Sequence, residues 1–306
     1  MDYIHIPVMV KEVCEVLNVS EGGLFVDCTL GPGGHSEAIL EATPLTNILG
    51  IDRDSSAIEI AKNRLKKFGS RVTILNCNFK EIDFWKPYLK EEPKGILLDL
   101  GLSSLQLQEG RGFSFKDEKS LDMRMDTSKG IKALEFLKNS KEQELSEILN
   151  KYGEVENPHK IAKAIKSALK EERIKSAKDL SQVVEEVISS KRDSKHPATK
   201  IFQAIRIFIN EELKGLDKFI KDAVSILQKS GRIVVISYHS LEDRIVKNSF
   251  RELKKGCTCP PQFPYCICGN EPIVSFASKT PLRPDMNEVL TNPSSRSARL
   301  RYAIRK

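Results

Sequence analysis

The stretch that decides the fold runs from Leu24 to His35 and has the sequence LFVDCTLGPGGH. Its first half, Leu24–Cys28, is a short apolar run of the kind that forms a buried parallel strand. Its second half is rich in glycine and precedes a helical pattern that begins at about Ser36. Glycines at such a turn let a ligand lie against the backbone, where a side chain would clash. A strand, a glycine-rich turn and a helix in this order predict a ligand site at the carboxyl edge of a parallel sheet.

Further apolar runs extend this strand into a sheet. The predicted parallel strands after the first are Ile48–Asp52, Val72–Leu75, Ile96–Leu100 and Arg232–Ser237. Arg299–Arg305 alternates polar and apolar residues, as a strand with one solvated face does, and Ile273–Phe276 is its predicted hairpin partner. The pattern predicts an α/β fold in which parallel strands end in an antiparallel hairpin.

A long helix-patterned segment separates the fourth and fifth strands, and it is too long for a single crossover connection. We therefore predict two domains. Residues 1–111 and 209–306 form the ligand-binding α/β domain, and residues 112–208 form an inserted all-helical domain that recognises substrate.

Lysines mark one helix of this insert. In Lys160–Lys170 the apolar residues Ile161, Ala164, Ile165, Ala168 and Leu169 share one helical face, and Lys160, Lys163, Lys166 and Lys170 lie opposite. An ordinary solvated face explains this pattern. A surface that faces RNA is the alternative, and the nearby basic run Lys191–His196 favours it.

The composition is that of a soluble globular protein, with 40% hydrophobic and 30% charged residues. The sequence has no apolar stretch of the roughly 18 residues that a membrane span needs, and Met1–His5 does not resemble a secretory signal. We predict a cytoplasmic protein without a membrane partner. The net charge of +7 is compatible with a polyanionic partner, and the segment from Thr291 to Lys306 has five basic residues and no acid.

The spacing of Asp52 narrows the choice of ligand. Asp52 ends the second strand, where an acid hydrogen-bonds the hydroxyls of a ribose. A nicotinamide dinucleotide also needs a third glycine after Gly31 and Gly33, but Ser36 occupies that position. S-adenosylmethionine has no phosphate and needs only close backbone approach, and Asp27 suits its ammonium group. The sequence predicts S-adenosylmethionine as the cofactor and hence a Rossmann-like class I methyltransferase sheet.

Motifs along the whole chain carry a more specific resemblance. They are His5–Val8, Asp27–Ser36, Ile51–Asp54, Leu98–Gly101, Arg111–Phe115, Leu121–Met125, His196–Thr199, Phe202–Arg206, Ile236–Lys247 and Asn292–Ser297. With them the chain resembles the bacterial small-subunit ribosomal RNA (cytosine-N4)-methyltransferases of the RsmH/MraW family. The resemblance implies N4-methylation of a cytidine in the decoding region of 16S rRNA within the small ribosomal subunit, and no DNA partner.

The resemblance also implies the cofactor contacts. They fall on Gly33, Gly34, His35, Asp52, Phe79, Asp99 and Gln106. Phe79 follows the third strand, where its ring can pack on the adenine. One departure from the family pattern is Leu105, where many members have proline before the glutamine that corresponds to Gln106.

The loop after the fourth strand is the predicted place of the chemistry. Other amino-methyltransferases have there a polar acceptor, two prolines and an aromatic ring, and this chain keeps only the acid. We predict Asp99 and Ser103 as acceptors of the hydrogen bonds of the target amine. Phe113, Phe115 and Tyr238 are candidates for the stacking ring, although core positions explain the two phenylalanines equally well. The target base is expected to be unpaired or flipped out.

Four of the seven cysteines are clustered. Cys257, Cys259, Cys266 and Cys268 could form a tetrahedral zinc site of structural purpose. Redox or disulfide behaviour and unligated thiols are the alternatives that the spacing leaves open. The scattered Cys14, Cys28 and Cys77 are predicted to be small core residues.

Two other functional classes are compatible with parts of the pattern. One is a methyltransferase of DNA or of a small molecule, in which the lysine-rich insert is only scaffolding. The other is a zinc-containing assembly factor without turnover, which the intact Asp27, Asp52 and Asp99 argue against.

Overall fold

A computed structural model of the chain describes residues 6–188, 196–257, 259–260 and 262–306. The chain forms two compact units, one made of Met1–Gly101 with Gly215–Lys306 and the other of Leu102–Lys214. The domain boundaries at residues 112 and 208 stay a prediction, because a compact unit need not be a domain that folds alone. Within the described residues no helix is both long and apolar enough to cross a membrane.

The first unit is built on a seven-stranded sheet. Its strands are β1 (Gly23–Asp27), β2 (Thr46–Asp52), β3 (Val72–Asn76), β4 (Gly95–Asp99), β5 (Arg232–Ser237), β6 (Val274–Ala277) and β7 (Arg299–Arg305). The spatial order is β3-β2-β1-β4-β5-β7-β6. The first five are parallel, and β7 runs antiparallel to both β5 and β6. The predicted fold class, a parallel Rossmann-like sheet ending in an antiparallel hairpin, is confirmed.

Helices cover both faces of this sheet, which is why its central strands are apolar throughout rather than alternating. The helices of this unit are α1 (Val10–Leu17), α2 (Gly34–Ala42), α3 (Ser55–Leu65), α4 (Ile82–Trp85), α11 (Leu216–Ile226), α12 (Ser240–Lys255) and α13 (Met286–Thr291). Helices α1, α2 and α3 share one buried cluster with Phe25, Leu97 and Val234. Helices α4, α11 and α12 share the other with neighbouring residues such as Val26 and Ile96. Adjacent strand residues thus point into opposite cores.

In the second unit, the described residues form helices and no strand. Its helices are α5 (Ser104–Gln108), α6 (Ala133–Asn139), α7 (Glu142–Gly153), α8 (Pro158–Lys170), α9 (Ala177–Val187) and α10 (Thr199–Ile209). One hydrophobic cluster joins α6 through α10. The fully buried residues Leu137, Leu149 and Ile165 lie in it, and burying a side chain of this size contributes roughly 1.5–3 kcal/mol to stability.

The lysine-bearing helix α8 buries the apolar face that its pattern predicts, with Ile161, Ile165 and Ala168 inside. Lys166 corrects the idea that all four lysines could face RNA. Its ammonium donates to the carbonyl oxygens of Leu137 at 2.7 Å and Lys138 at 3.0 Å, so it closes the carboxyl end of α6. The residues Lys191–Lys195 of the nearby basic run lie outside the described part of the chain.

The basic C-terminal strand is also more internal than its charge indicates. Arg301 is only 4% exposed. Its Nε donates to Asp243 Oδ1 at 2.6 Å, and one terminal nitrogen donates to Lys279 O at 2.8 Å. Arg301 therefore ties β7 to α12, and it does not contribute to a surface that could bind a polyanion.

Candidate functional site

The site is built at the carboxyl edge of the sheet, where three neighbouring strands each end in an aspartate. In spatial order these are Asp52 of β2, Asp27 of β1 and Asp99 of β4. The strand order reverses between β1 and β4, because β1 connects toward β2 on one side and β4 leads to β5 on the other. Ligands of open α/β sheets bind at such a reversal.

The loop after β1 is fastened to both neighbouring strands. The Cys28 N–H donates to Leu97 O at 2.9 Å, and the Leu30 N–H donates to Ile51 O at 2.9 Å. The Thr29 hydroxyl accepts the Asp99 N–H at 2.6 Å. This short loop therefore fixes where the ends of β2 and β4 lie relative to each other.

Gly33 and Gly34 meet different requirements at the start of α2. Gly33 has φ +85°, a left-handed conformation that costs other residues roughly 1–2 kcal/mol. Gly34 has an ordinary φ, but an added Cβ would lie 3.0 Å from the Pro7 ring. Glycine at position 33 thus permits the turn, and glycine at position 34 lets Pro7 pack closely on the start of α2.

Asp52 holds the turn and still has acceptor capacity. Its Oδ2 accepts the Gly31 N–H at 2.7 Å, and its Oδ1 accepts the Asp54 N–H at 2.8 Å. A carboxylate oxygen has two lone pairs, so each oxygen can accept a second hydrogen bond. Burial raises the pKa of Asp52 to about 6, although the two backbone N–H groups lower it.

Asp27 is turned inward and is only 1% exposed. Its Oδ1 accepts the Thr29 N–H at 3.2 Å, and its Oδ2 accepts the Ser36 hydroxyl at 2.7 Å. Burial raises its pKa above the ordinary value. The hydrogen bonds of Asp27 thus support the loop and the first turn of α2, and its influence on a ligand would be through its charge.

Asp99 lies between two aromatic side chains. The Tyr238 hydroxyl donates a hydrogen bond to its carboxylate, and His35 Nδ1 is 4.0 Å from its Oδ2. The Gly101 N–H also reaches Asp99 Oδ1, at 3.3 Å. Burial raises the pKa of Asp99, and the neighbouring His35 opposes that shift. Gly101 has room for no side chain, because an added Cβ would meet the Tyr238 ring at 2.6 Å.

Phe79 follows β3, as predicted, and is partly buried. Its ring packs edge-to-face on Phe219, with 4.7 Å between centroids. Its carbonyl accepts the Trp85 indole N–H at 2.7 Å. Both contacts fix the position of a ring near the carboxyl end of β3.

Ser103 and Gln106 belong to the second unit and form a capping box at the start of α5. The Ser103 hydroxyl accepts the Gln106 N–H at 3.2 Å, and the Gln106 side chain accepts the Ser103 N–H at 3.2 Å. Leu105, which departs from the family pattern, lies inside this turn without disturbing the box. The roles of Ser103 and Gln106 toward a substrate or cofactor stay predictions.

Comparison with known proteins bears on these features. A family model described as the MraW methylase family matches residues 2–306. The chain belongs to this family. A Clostridium botulinum relative called ribosomal RNA small subunit methyltransferase H is 45% identical over 305 residues, which cover 98% of each protein. A protein of the same name from Dehalococcoides mccartyi is 44% identical over 308 residues, covering 100% of this chain and 87% of the relative.

Among solved structures, an rRNA methylase from Streptococcus thermophilus is similar over 99% of both chains, with 10% identity and a TM-score of 0.42. Membership of the MraW methylase family confirms the predicted resemblance and the prediction of a methyltransferase.

Three positions of this MraW methylase chain take structural roles that their motifs do not reveal. Phe113 is buried in the core of the second unit, and Phe115 stacks on His196 with 4.7 Å between centroids. His239 caps α12, with its side chain accepting the Glu242 N–H. The predicted alternative of a core position therefore has direct support for Phe113.

Sequence reasoning missed the groups that hold Asp99. Thr29 accepts its N–H, and Tyr238 donates to its carboxylate. Tyr238 was predicted only as a ring for stacking on the base. Both residues lie next to strand ends, and that position is the one signal in the sequence that could have identified them.

The four clustered cysteines converge in space. The Sγ–Sγ distances are 3.9 Å for Cys259–Cys266, 3.5 Å for Cys266–Cys268 and 3.8 Å for Cys268–Cys257. All four sulfurs lie within 4.8 Å of one another. The distances are well above the roughly 2.05 Å of a disulfide bond. They are close to the roughly 3.8 Å edge of a tetrahedron with 2.3 Å zinc–sulfur bonds.

Proposed function

We propose that the chain transfers a methyl group from S-adenosylmethionine to the exocyclic N4 of a cytidine in the 16S RNA of the small ribosomal subunit. The observation that carries the proposal is the identity of 45%, along 98% of the chain, to a small-subunit rRNA methyltransferase. The carboxyl edge of the sheet agrees with it, since it presents acceptor groups for a ribose and for an amine. The cytidine N4 as acceptor atom follows from the family resemblance.

The cofactor fits the carboxyl edge on physical grounds. In the proposal, Asp52 receives the ribose hydroxyls on its remaining lone pairs, and Gly33 and Gly34 allow the methionine part to lie on the backbone. Phe79 contacts the adenine. His35, Asp99 and Gln106 complete the contact set that the family resemblance implies. When bound, S-adenosylmethionine supplies an electrophilic methyl group on a positively charged sulfur.

Asp99 is proposed to act on the acceptor. The lone pair of a cytosine amine is conjugated with the ring, so the nitrogen becomes nucleophilic only as it pyramidalises. A carboxylate that accepts an N–H hydrogen bond favours that change and orients the nitrogen toward the methyl group. The Thr29 hydroxyl, the Gly101 N–H and the Tyr238 hydroxyl fix Asp99 for this role. Ser103 is the proposed second acceptor.

The test is transfer of labelled methyl to small ribosomal subunits that lack their native modification. We expect label in a single cytidine, recovered as N4-methylcytidine after nuclease digestion. Naked 16S RNA and duplex DNA are the comparison substrates. Label in DNA, or in no nucleic acid despite measurable cofactor binding, would overturn the proposal.

We further propose that Cys257, Cys259, Cys266 and Cys268 bind one structural zinc ion. The nearly tetrahedral spacing of the sulfurs supports it, as does the Ile267 N–H that donates to Cys259 Sγ at 3.3 Å. Such N–H groups offset the negative charge of thiolate ligands. Methyl transfer itself needs no metal, so the ion would hold the loop between α12 and β6.

Elemental analysis of reduced protein tests the zinc site. We expect one zinc per chain in the wild type and in a Cys14→Ser control, which lies outside the cluster. Cys259→Ser and Cys266→Ser should each lower the zinc content and the thermal stability. Reduced wild-type protein without stoichiometric zinc would refute the site.

A further inference from the structure

His35 has a defined tautomer in its neutral form. The side chain is buried at the start of α2, and its Nε2 lies 2.8 Å from Val8 O. A carbonyl oxygen only accepts hydrogen bonds, so Nε2 must carry the hydrogen. The neutral ring therefore has a bare lone pair at Nδ1.

That lone pair faces a carboxylate. His35 Nδ1 is 4.0 Å from Asp99 Oδ2, and an ionised carboxylate is likewise an acceptor only. Two acceptors that face each other are favourable neighbours when one proton lies between them. The distance is longer than a hydrogen bond, and hydrogen bonds of this kind are commonly long in a free enzyme and shorten when substrate binds.

Acidic side chains surround the His35 ring. The carboxyl groups of Asp27 and Asp99 both interact electrostatically with its ring. Glu288, whose carboxylate accepts the Met9 N–H at 2.7 Å, contributes a third acid. Around Asp99, the Tyr238 hydroxyl donates a hydrogen bond and Glu242 adds negative charge. The His35 ring therefore lies among three acids, and Asp99 is the one whose carboxylate approaches Nδ1 to 4.0 Å.

We propose that His35 is a proton relay for methyl transfer, acting through Asp99. This proposal rests on the proposed function. The amine nitrogen attacks the methyl carbon, the C–S bond breaks, and its electron pair stays on sulfur. The new N-methylammonium group then loses one proton to the Asp99 carboxylate, which passes it to His35 Nδ1. The products are a neutral N4-methyl amine, a neutral thioether and an imidazolium that later gives its proton to solvent.

His35→Gln tests the relay, because the Gln amide can still donate to Val8 O but cannot take up a proton. We expect kcat to fall by about tenfold to hundredfold, and by more than the Kd of S-adenosylmethionine rises through the loss of the proposed His35 contact. His159→Gln, in the second unit, is the matched control and should change neither quantity.

Two results would overturn the relay alone. One is a His35→Gln variant that forms N4-methylcytidine with the kcat of the wild type. The other is a fall in kcat by the same factor as the fall in affinity for S-adenosylmethionine, which indicates that His35 only supports the structure or the cofactor. Absence of N4-methylcytidine from wild-type reactions would instead refute the proposed function and the relay with it.

A measurement without substrate guards against a variant that fails to fold. Nitrogen-15 NMR of histidine-labelled wild-type protein should show His35 as the Nε2–H tautomer at high pH. The signal would be assigned by its loss in His35→Gln or by contacts to Val8. An Nδ1–H tautomer would place a donor toward Asp99 in the resting protein and would refute the relay.

Discussion

Three aspartates end adjacent strands of one sheet, yet their hydrogen bonds prepare them for different tasks. Asp27 receives its hydrogen bonds from its own loop and helix, and it is almost completely buried. Asp52 receives two backbone N–H groups and keeps lone pairs for a ligand. Asp99 has a phenol on one side and an imidazole on the other. The surroundings of each carboxylate, rather than its residue type, decide what it can do.

Replacing Asp99 tests its role as acceptor. Asp99→Asn preserves the size of the side chain but removes its ability to take a proton. We expect kcat to fall by at least about a hundredfold, with a much smaller change in the Kd of S-adenosylmethionine. Asp83→Asn, an exposed substitution on α4, is the control. Turnover near the wild-type level in Asp99→Asn would contradict the assignment.

The raised pKa of Asp52 predicts a pH dependence of cofactor binding. The carboxylate form accepts from both ribose hydroxyls, whereas the protonated form loses acceptor capacity. Because burial raises this pKa to about 6, the Kd of S-adenosylmethionine should increase as the pH falls through 6. Asp52→Asn should bind more weakly at pH 8 and lack this dependence. Isothermal titration calorimetry across pH 5 to 8 measures both, and a wild-type Kd that stays flat would contradict the prediction.

The same group affects stability with a definite sign. In the unfolded chain an aspartate has a pKa of about 3.9, and in the folded protein that of Asp52 is about 6. Between these values the folded state binds more protons, so the contribution of Asp52 to the free energy of unfolding decreases as the pH rises. Urea unfolding without cofactor should therefore show Asp52→Asn gaining stability relative to wild type from pH 4 to pH 6. No relative gain would argue against the raised pKa.

At the scale of elements, the segment between α5 and α6 is held by backbone contacts. Asp122 and Met123 both donate their N–H groups to Arg111 O, and Asn210 Oδ1 accepts the Met125 N–H at 2.8 Å. The backbone at Gly112 lies close to the backbone at Leu121, since a Cβ added to Gly112 would be 2.8 Å from Leu121 Cα. The motifs around residues 111–115 and 121–125 thus have a structural explanation within the second unit.

Alanine substitutions at Gly112 and Gly130 separate the energetic cost of backbone conformation from the cost of crowding. Both have positive φ, but Gly130 has only the flexible Arg124 side chain nearby, at 4.0 Å. We expect Gly130→Ala to cost about 1 kcal/mol of unfolding free energy, from conformation alone. Gly112→Ala should cost a further 1–3 kcal/mol or so from overpacking. Equal costs in urea unfolding would show that the close approach is absent.

At the scale of the whole molecule, a buried ion pair joins distant parts of the chain. Arg301 of β7 and Asp243 of α12 form two hydrogen bonds, of 2.6 Å and 3.2 Å, and Arg299 adds a third at 3.2 Å. Partial burial alone would raise the pKa of Asp243, but the two guanidinium groups lower it. The pair thus connects the last strand of the sheet to a helix that packs on it.

Breaking this pair should be costly. We expect Asp243→Ala to lower the free energy of unfolding by about 3–5 kcal/mol, because it leaves the Arg301 charge buried without its partner. Asp222→Ala, which removes the exposed partner of Lys218, should cost less than about 1 kcal/mol. Since the pKa of Asp243 is lowered, its stabilisation is present above about pH 4 and is lost as the pH falls further. Similar costs for the two variants would mean that the pair is not buried.

The sequence by itself determined the architecture and part of the site. The continuous apolar run of β5 and the alternating pattern of β7 predicted the observed bounds, and the other predicted strands differ only at their ends. The spacing of Asp52 from the glycine-rich turn predicted that the two lie together, because adjacent parallel strands end at one edge of the sheet, and Asp52 Oδ2 accepts the Gly31 N–H. These features depend on local strand and turn propensity and on the pattern of buried residues, and both can be read from the sequence.

Only the tertiary structure decided the partners of the polar groups. It placed Val8 O on His35, Tyr238 on Asp99 and Asp243 on Arg301, and it brought four sulfurs to nearly tetrahedral spacing. It also turned Lys166, which its helical face suggested was solvated, onto the end of α6. The physical reason is that a hydrogen bond or ion pair needs atoms within about 3 Å of each other. Residues far apart in the chain reach that distance only through the path of the backbone.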